Sequence, residues 1–140
     1  MNFEELLNKK LIEKCPVPAE EVRAIKEAVD SDLNTARLLL GSDLCWAFNI
    51  AYNSMLEAGL ALMYSKGFRP IGEAKHVSVI LFLREILGKE YENKINRFNQ
   101  MRRKRHKAAY GIIRDMTEYE AKDSVKFAAE FAEEVINFIT

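Results

Sequence analysis

Apolar residues return every three or four positions along nearly the whole chain, and no long stretch alternates as a strand would. That spacing predicts helices almost throughout. A short first helix over about Phe3–Lys14 is expected to stop at Cys15-Pro16-Val17-Pro18, because proline supplies no donor and restricts the residue before it. Pro18 then suits the opening turn of a second helix, with Glu20 and Glu21 at its positive end. Val22, Ile25, Val29, Leu33, Ala36 and Leu40 give that helix its buried stripe, Gly41 closes it, and Ser42 is the predicted cap of the next.

The third helix, about Asp43–Lys66, is apolar around most of its circumference, and its small residues Ala47, Ala51, Ser54 and Ala58 recur on one face. Small residues admit a close neighbour, which places this helix at the centre. Gly67-Phe68-Arg69-Pro70-Ile71-Gly72 reads as a loop. A fourth helix is predicted over His76–Leu87 with Gly88 as its stop, a fifth from Glu90 to about Tyr110, and a last from Thr117, where Thr117-Glu118-Tyr119-Glu120 is a capping box. Val125, Ala128, Ala132, Val135 and Ile139 form the last stripe. The expected fold is all-α: an up-and-down bundle of four to five long helices plus a short N-terminal helix.

Composition narrows the class. At 140 residues and 49% apolar content the chain suits one domain with a real core, taken as residues 1–140 with 1–17 as an N-terminal helical extension. The longest apolar runs fall far short of the ~18 residues of a membrane span. Acids among the first ten residues do not fit a signal peptide. Cys15 and Cys45 have neither metal-ligand nor redox-motif spacing, so two thiols in a reducing cytoplasm are expected. No Gly-rich phosphate loop, HExxH, GxSxG or Asp-rich metal motif occurs, and neither a metal nor another cofactor is expected.

Lys plus Arg equals Asp plus Glu at 21 each, so net charge names no partner, but its placement does. Asn93 to Arg114 holds eight cations and no acid, whereas Asp115 to Thr140 holds seven acids against Lys122 and Lys126. Two solvated faces attracting one another would explain this. Helix geometry sets part of the run apart. At ~100° per residue Ile95, Phe98, Met101, Ala108 and Ile112 share an arc that includes Arg105, with Arg102 at its edge, while Arg103, Lys104 and Lys107 point elsewhere. A guanidinium on an apolar seam needs either an ion-pair partner or a bordering cleft. Both readings of Arg105 stay open.

Met101-Arg102-Arg103-Lys104-Arg105-His106-Lys107-Ala108-Ala109-Tyr110 resembles the signature region of HEPN domains (higher eukaryotes and prokaryotes nucleotide-binding). Trp46-Ala47-Phe48-Asn49-Ile50-Ala51-Tyr52 resembles the family's central helix, and Lys66–His76 its loop into a His-started helix. The resemblance covers about Ala28–Thr140 and leaves the first helix outside. It implies a homodimer whose cleft joins two copies of an Arg-x4–6-His motif, as in metal-independent ribonucleases and toxins. Arg would stabilise the pentavalent phosphate and His would act on the 2′-hydroxyl or leaving oxygen.

Here the motif is altered. Arg105 is followed by polar His106, and Tyr110 stands where the catalytic His would be. A phenol of pKa near ~10 is a poor base but still donates a hydrogen bond to phosphate. On an ideal helix Arg105 and Tyr110 point ~140° apart. The resemblance therefore implies a catalytic group Arg105, His106 and Tyr110, with Arg97, Arg102, Arg103 and Lys107 gripping nucleic acid. Two functions follow: an RNA-binding or RNA-cleaving protein of toxin type, or a non-catalytic module partnering a nucleotidyltransferase. Arg69-x6-His76 matches the motif literally but crosses the Gly-Pro loop, so His76 is read as packing or hydrogen-bonding at a helix start. Trp46 and Tyr52 are read as core.

Overall fold

The computed structural model describes residues 2–109 and 116–139, with backbone only at His106, Ala108 and Ala109. Its elements in chain order are α1 (Phe3–Asn8), β1 (Ile12–Lys14), α2 (Ala19–Leu39), α3 (Leu44–Ser65), β2 (Phe68–Pro70), α4 (Lys75–Leu87), a single 3-10 turn (Lys89–Tyr91), α5 (Glu92–Ala109) and α6 (Glu118–Ile136). The all-α expectation holds, with five long helices and a short first one among the described residues. No helix among them is long and apolar enough to cross a membrane.

The first helix is corrected. It ends at Asn8 rather than near Lys14, because Lys10 takes a positive φ of 57° and turns the chain out of helical geometry. Ile12–Lys14 then pairs antiparallel with Phe68–Pro70, in the register Ile12 with Pro70 and Lys14 with Phe68. The predicted loop at Gly67–Gly72 is thus half strand. Phe68 stacks on Phe3 at 6.0 Å between ring centroids, and both rings meet Phe82 of α4 at 5.8 and 5.3 Å. Leu6 and Ile12 are buried as well, so α1 and β1 each contribute one side chain to the core.

Caps fall where side-chain chemistry puts them. Asp43, not Ser42, caps α3, its Oδ1 accepting from the Trp46 N–H at 3.0 Å. Thr117 caps α6 as expected, its Oγ1 accepting from the Glu120 N–H at 3.1 Å. The small face of α3 is fully buried, and α3 packs on α2, α4, α5 and α6 as the central helix. Gly59 brings α4 closest: a Cβ there would lie 2.6 Å from Val79 Cγ1 and 3.3 Å from Leu83 Cδ1. Tyr52 meets His76 while Gly59 meets Val79 and Leu83, so contacts advance in the same sense along both helices and α4 runs roughly with α3. The extended return through β2 makes that direction reachable.

Between α2 and α3, Asn53 Nδ2 donates to Asp32 Oδ2 at 3.1 Å and to Glu57 Oε1 at 3.0 Å. Burial first, and then the hydrogen bond and charge of Asp32, raise Glu57 from its ordinary 4.5 to about 8. The folded state therefore holds a proton that the unfolded chain has released above pH 4.5. Stability from this group is complete below that value and is lost as pH rises towards 8. Glu57→Gln should remove the slope and stabilise the protein by about 1–2 kcal/mol above that window, less than full linkage because solvent still reaches Glu57. Urea titrations across the window check this; a wild-type slope of the opposite sign would reject it.

Candidate nucleic-acid interface

Phe98 of α5 is fully buried against Tyr52, with ring centroids 5.4 Å apart. Seven residues on, almost two full turns, Arg105 returns to the same face of α5, and its guanidinium lies 5.9 Å from the Tyr52 ring centroid. Arg102 stands on the intervening turn and donates from Nε to Asn99 Oδ1 at 3.0 Å. From the other side, His76 in the first turn of α4 places Nδ1 3.0 Å from the Tyr52 hydroxyl. Three helices thus converge on one buried phenol. The helix-start hydrogen bond expected of His76 is present.

The protonation states follow from these surroundings. Burial pushes the Tyr52 phenol well above its ordinary range, against the opposing pull of Arg102 and Arg105. Burial, then the positive charges of Arg105 and Arg102, hold His76 below the usual imidazole value. Both groups are neutral at pH 7. With the phenol O–H donating to Nδ1, Tyr52 and His76 satisfy one another. The imidazole proton then sits on Nε2. In that tautomer His76 is a donor with its basic nitrogen occupied. Two guanidiniums and one imidazole N–H beside a buried ring can hold an anion.

The basic run divides in two. Lys94 Nζ lies 2.7 Å from a Glu134 carboxylate oxygen, and Arg97 pairs with Asp123 at 2.6 Å while its guanidinium sits 4.3 Å from the centre of the Phe127 ring. Lys104 pairs with Glu120. These cations and the acids of α6 are the mutually attracting faces that the charge reversal anticipated. Arg102, Arg103, Arg105 and Lys107 have no carboxylate within salt-bridge distance among the described residues. Arg103 and Lys107 are exposed, whereas Arg102 and Arg105 are half-buried. Arg105 is therefore not in an ion pair among the described residues, and its guanidinium lies against the Tyr52 ring.

Of the proposed catalytic group only Arg105 can be placed. Tyr110 and Arg114 lie outside the described residues, as does the His106 side chain. Sequence reasoning missed Tyr52 and His76 as a pair. The Arg69-x6-His76 match set aside as crossing the loop is no pair in the fold, for Arg69 is ion-paired with Glu13 across the small sheet. Trp46, expected in the core, is 55% exposed at the start of α3.

A comparison with curated proteins and one with solved structures found no match. A model of the HEPN domain does match, over residues 6–139. The match begins well before Ala28, as the pairing of β1 with β2 and the burial of Leu6 would require. The chain belongs to the HEPN domain family.

Proposed function

We propose that the protein binds RNA through its phosphodiester backbone at the cationic cluster of Arg102, Arg105 and His76, with Arg103 and Lys107 extending the contact along α5. The single observation that carries this reading is the set of donors around Tyr52: two guanidiniums without an acidic partner among the described residues, facing a neutral imidazole whose Nδ1 is engaged. That arrangement favours holding an anion over activating a nucleophile. Membership in the HEPN family supports the nucleotide chemistry.

The test is incubation of labelled single-stranded RNA with the purified protein in EDTA, reading retention and cleavage together. Retention is expected, falling steeply with salt because each neutralised phosphate releases counterions, with a log–log slope near ~0.7 per phosphate on single strands. Arg103→Ala and Lys107→Ala should each flatten that slope while leaving the bundle folded. Absent or salt-insensitive retention would reject RNA as the ligand. Cleavage in EDTA would add chemistry to binding, with His106→Ala, Tyr110→Phe and His76→Ala deciding which group carries it.

A homodimer is part of the same reading. The large exposed hydrophobics among the described residues, Leu38, Trp46 and Tyr119, gather at the end of the bundle where α2 ends and α3 and α6 begin. The cationic end of α5 lies there too, since Lys104 pairs with Glu120. A second copy covering that end would hide the apolar group and bring two cationic clusters together. Light scattering should give about twice the 16.1 kDa chain mass, and Trp46→Glu should shift it towards monomer; wild-type monomer at micromolar concentration would reject the pairing.

A further inference from the structure

His76 belongs to two features at once. One side of its ring meets Tyr52, within reach of the charges of Arg105 and Arg102. The residue also lines a cavity of about 460 Å³ between α3, α4 and the returning chain after β2. Leu60 and Tyr64, one turn apart on α3, form one wall; Val79 of α4 and Ile71 of the connection form the others; Lys75 stands at the rim. This volume lies within the range of small-ligand sites, which are mostly apolar with a few placed polar groups. Arg69 also lines it, with its guanidinium engaged by Glu13, so the cavity joins an apolar wall to the cations Arg69 and Lys75.

A nucleotide has the same division: a charged phosphate joined through a ribose to a flat, largely apolar base. We infer that the cavity holds the base of the nucleotide whose phosphate meets Arg102, Arg105 and His76, so that a splayed base lies against Tyr64 and Leu60. Single-stranded RNA is read in this way by other folds, through unstacked bases laid on aromatic side chains. The inference rests on the phosphate-binding reading and adds a base-binding site to it. Tyr64 supplies the π-face, the Leu60, Ile71 and Val79 side chains supply the apolar floor, and Lys75 offers a charged donor to an edge of the base or to the next phosphate. His76 at the junction fixes the distance between base and phosphate.

Calorimetric titration of the full chain with 5′-AMP, 5′-UMP and ribose 5-phosphate tests the base site apart from the phosphate site. At least one nucleotide should bind about tenfold more tightly than ribose 5-phosphate, in line with base–aromatic stacking of ~1–3 kcal/mol. Leu60→Trp, which fills the cavity from a half-exposed position on α3, should bring that nucleotide down to the ribose 5-phosphate level and leave ribose 5-phosphate unchanged. Tyr64→Leu should lower nucleotide affinity in the same selective way. Equal binding of all three compounds, or nucleotide binding indifferent to both variants, overturns the base site and leaves the phosphate reading standing. Failure of all three to bind overturns the base site too, and RNA retention alone then decides the phosphate reading.

Discussion

Arg105→Ala should weaken retention of single-stranded RNA by roughly 10- to 150-fold, the loss expected when a charge-assisted hydrogen bond worth about 1.5–3 kcal/mol is deleted. Its effect on folding should be small. Arg105 has no carboxylate partner among the described residues, so removing it strands no buried countercharge, and the loss is that of a cation held over the Tyr52 ring, about 0.5–1 kcal/mol. Arg105→Lys should fall between, because the charge survives while the planar fork does not. The measurements are RNA retention at fixed salt and thermal unfolding of the same variants. A loss of stability of about 3–5 kcal/mol would instead identify Arg105 as half of a buried ion pair. Unchanged RNA retention would remove it from the site.

Most of the fold could be read from the sequence because helical periodicity is local. The stripes on α2 and α6, the small face of α3, the Gly88 stop and the Thr117 cap each depend on residues within a few turns of one another. The strand pair could not be read this way. Ile12–Lys14 and Phe68–Pro70 are three residues each and 56 positions apart, too short to show a period, and their pairing is set by the Lys10 turn and by Phe68 docking on Phe3 and Phe82. The site divides along the same line. Arg105 on the apolar arc of α5 was visible from spacing alone, whereas Tyr52 and His76, 24 positions apart, become partners only once Gly59 lets α4 settle on α3. Charge pairing lies between the two. The charge reversal announces two attracting faces, but that Lys104 meets Glu120 in particular is set by the antiparallel packing of α5 and α6.

Phe98→Ala should destabilise the protein by about 3–5 kcal/mol, the usual cost of emptying a buried phenylalanine site. Phe98 is fully buried and touches Tyr52 on one side and Phe131 on the other, at centroid distances of 5.4 and 5.6 Å. It therefore ties α5 to the central helix and to α6 at once. Against a total stability of ~5–15 kcal/mol this loss is a large share. Phe98→Leu keeps much of the volume and should cost under about 1.5 kcal/mol. The function should follow the packing, since Phe98 seats the turn from which Arg102 projects and lies two turns before Arg105. Under conditions where both variants stay folded, RNA affinity should fall more for Phe98→Ala than for Phe98→Leu, although neither change touches a charge. Urea unfolding and RNA retention measured in parallel check the coupling. A change below about 1 kcal/mol in Phe98→Ala would mean that α5 is not held on Tyr52, and the cluster built on that contact would go with it.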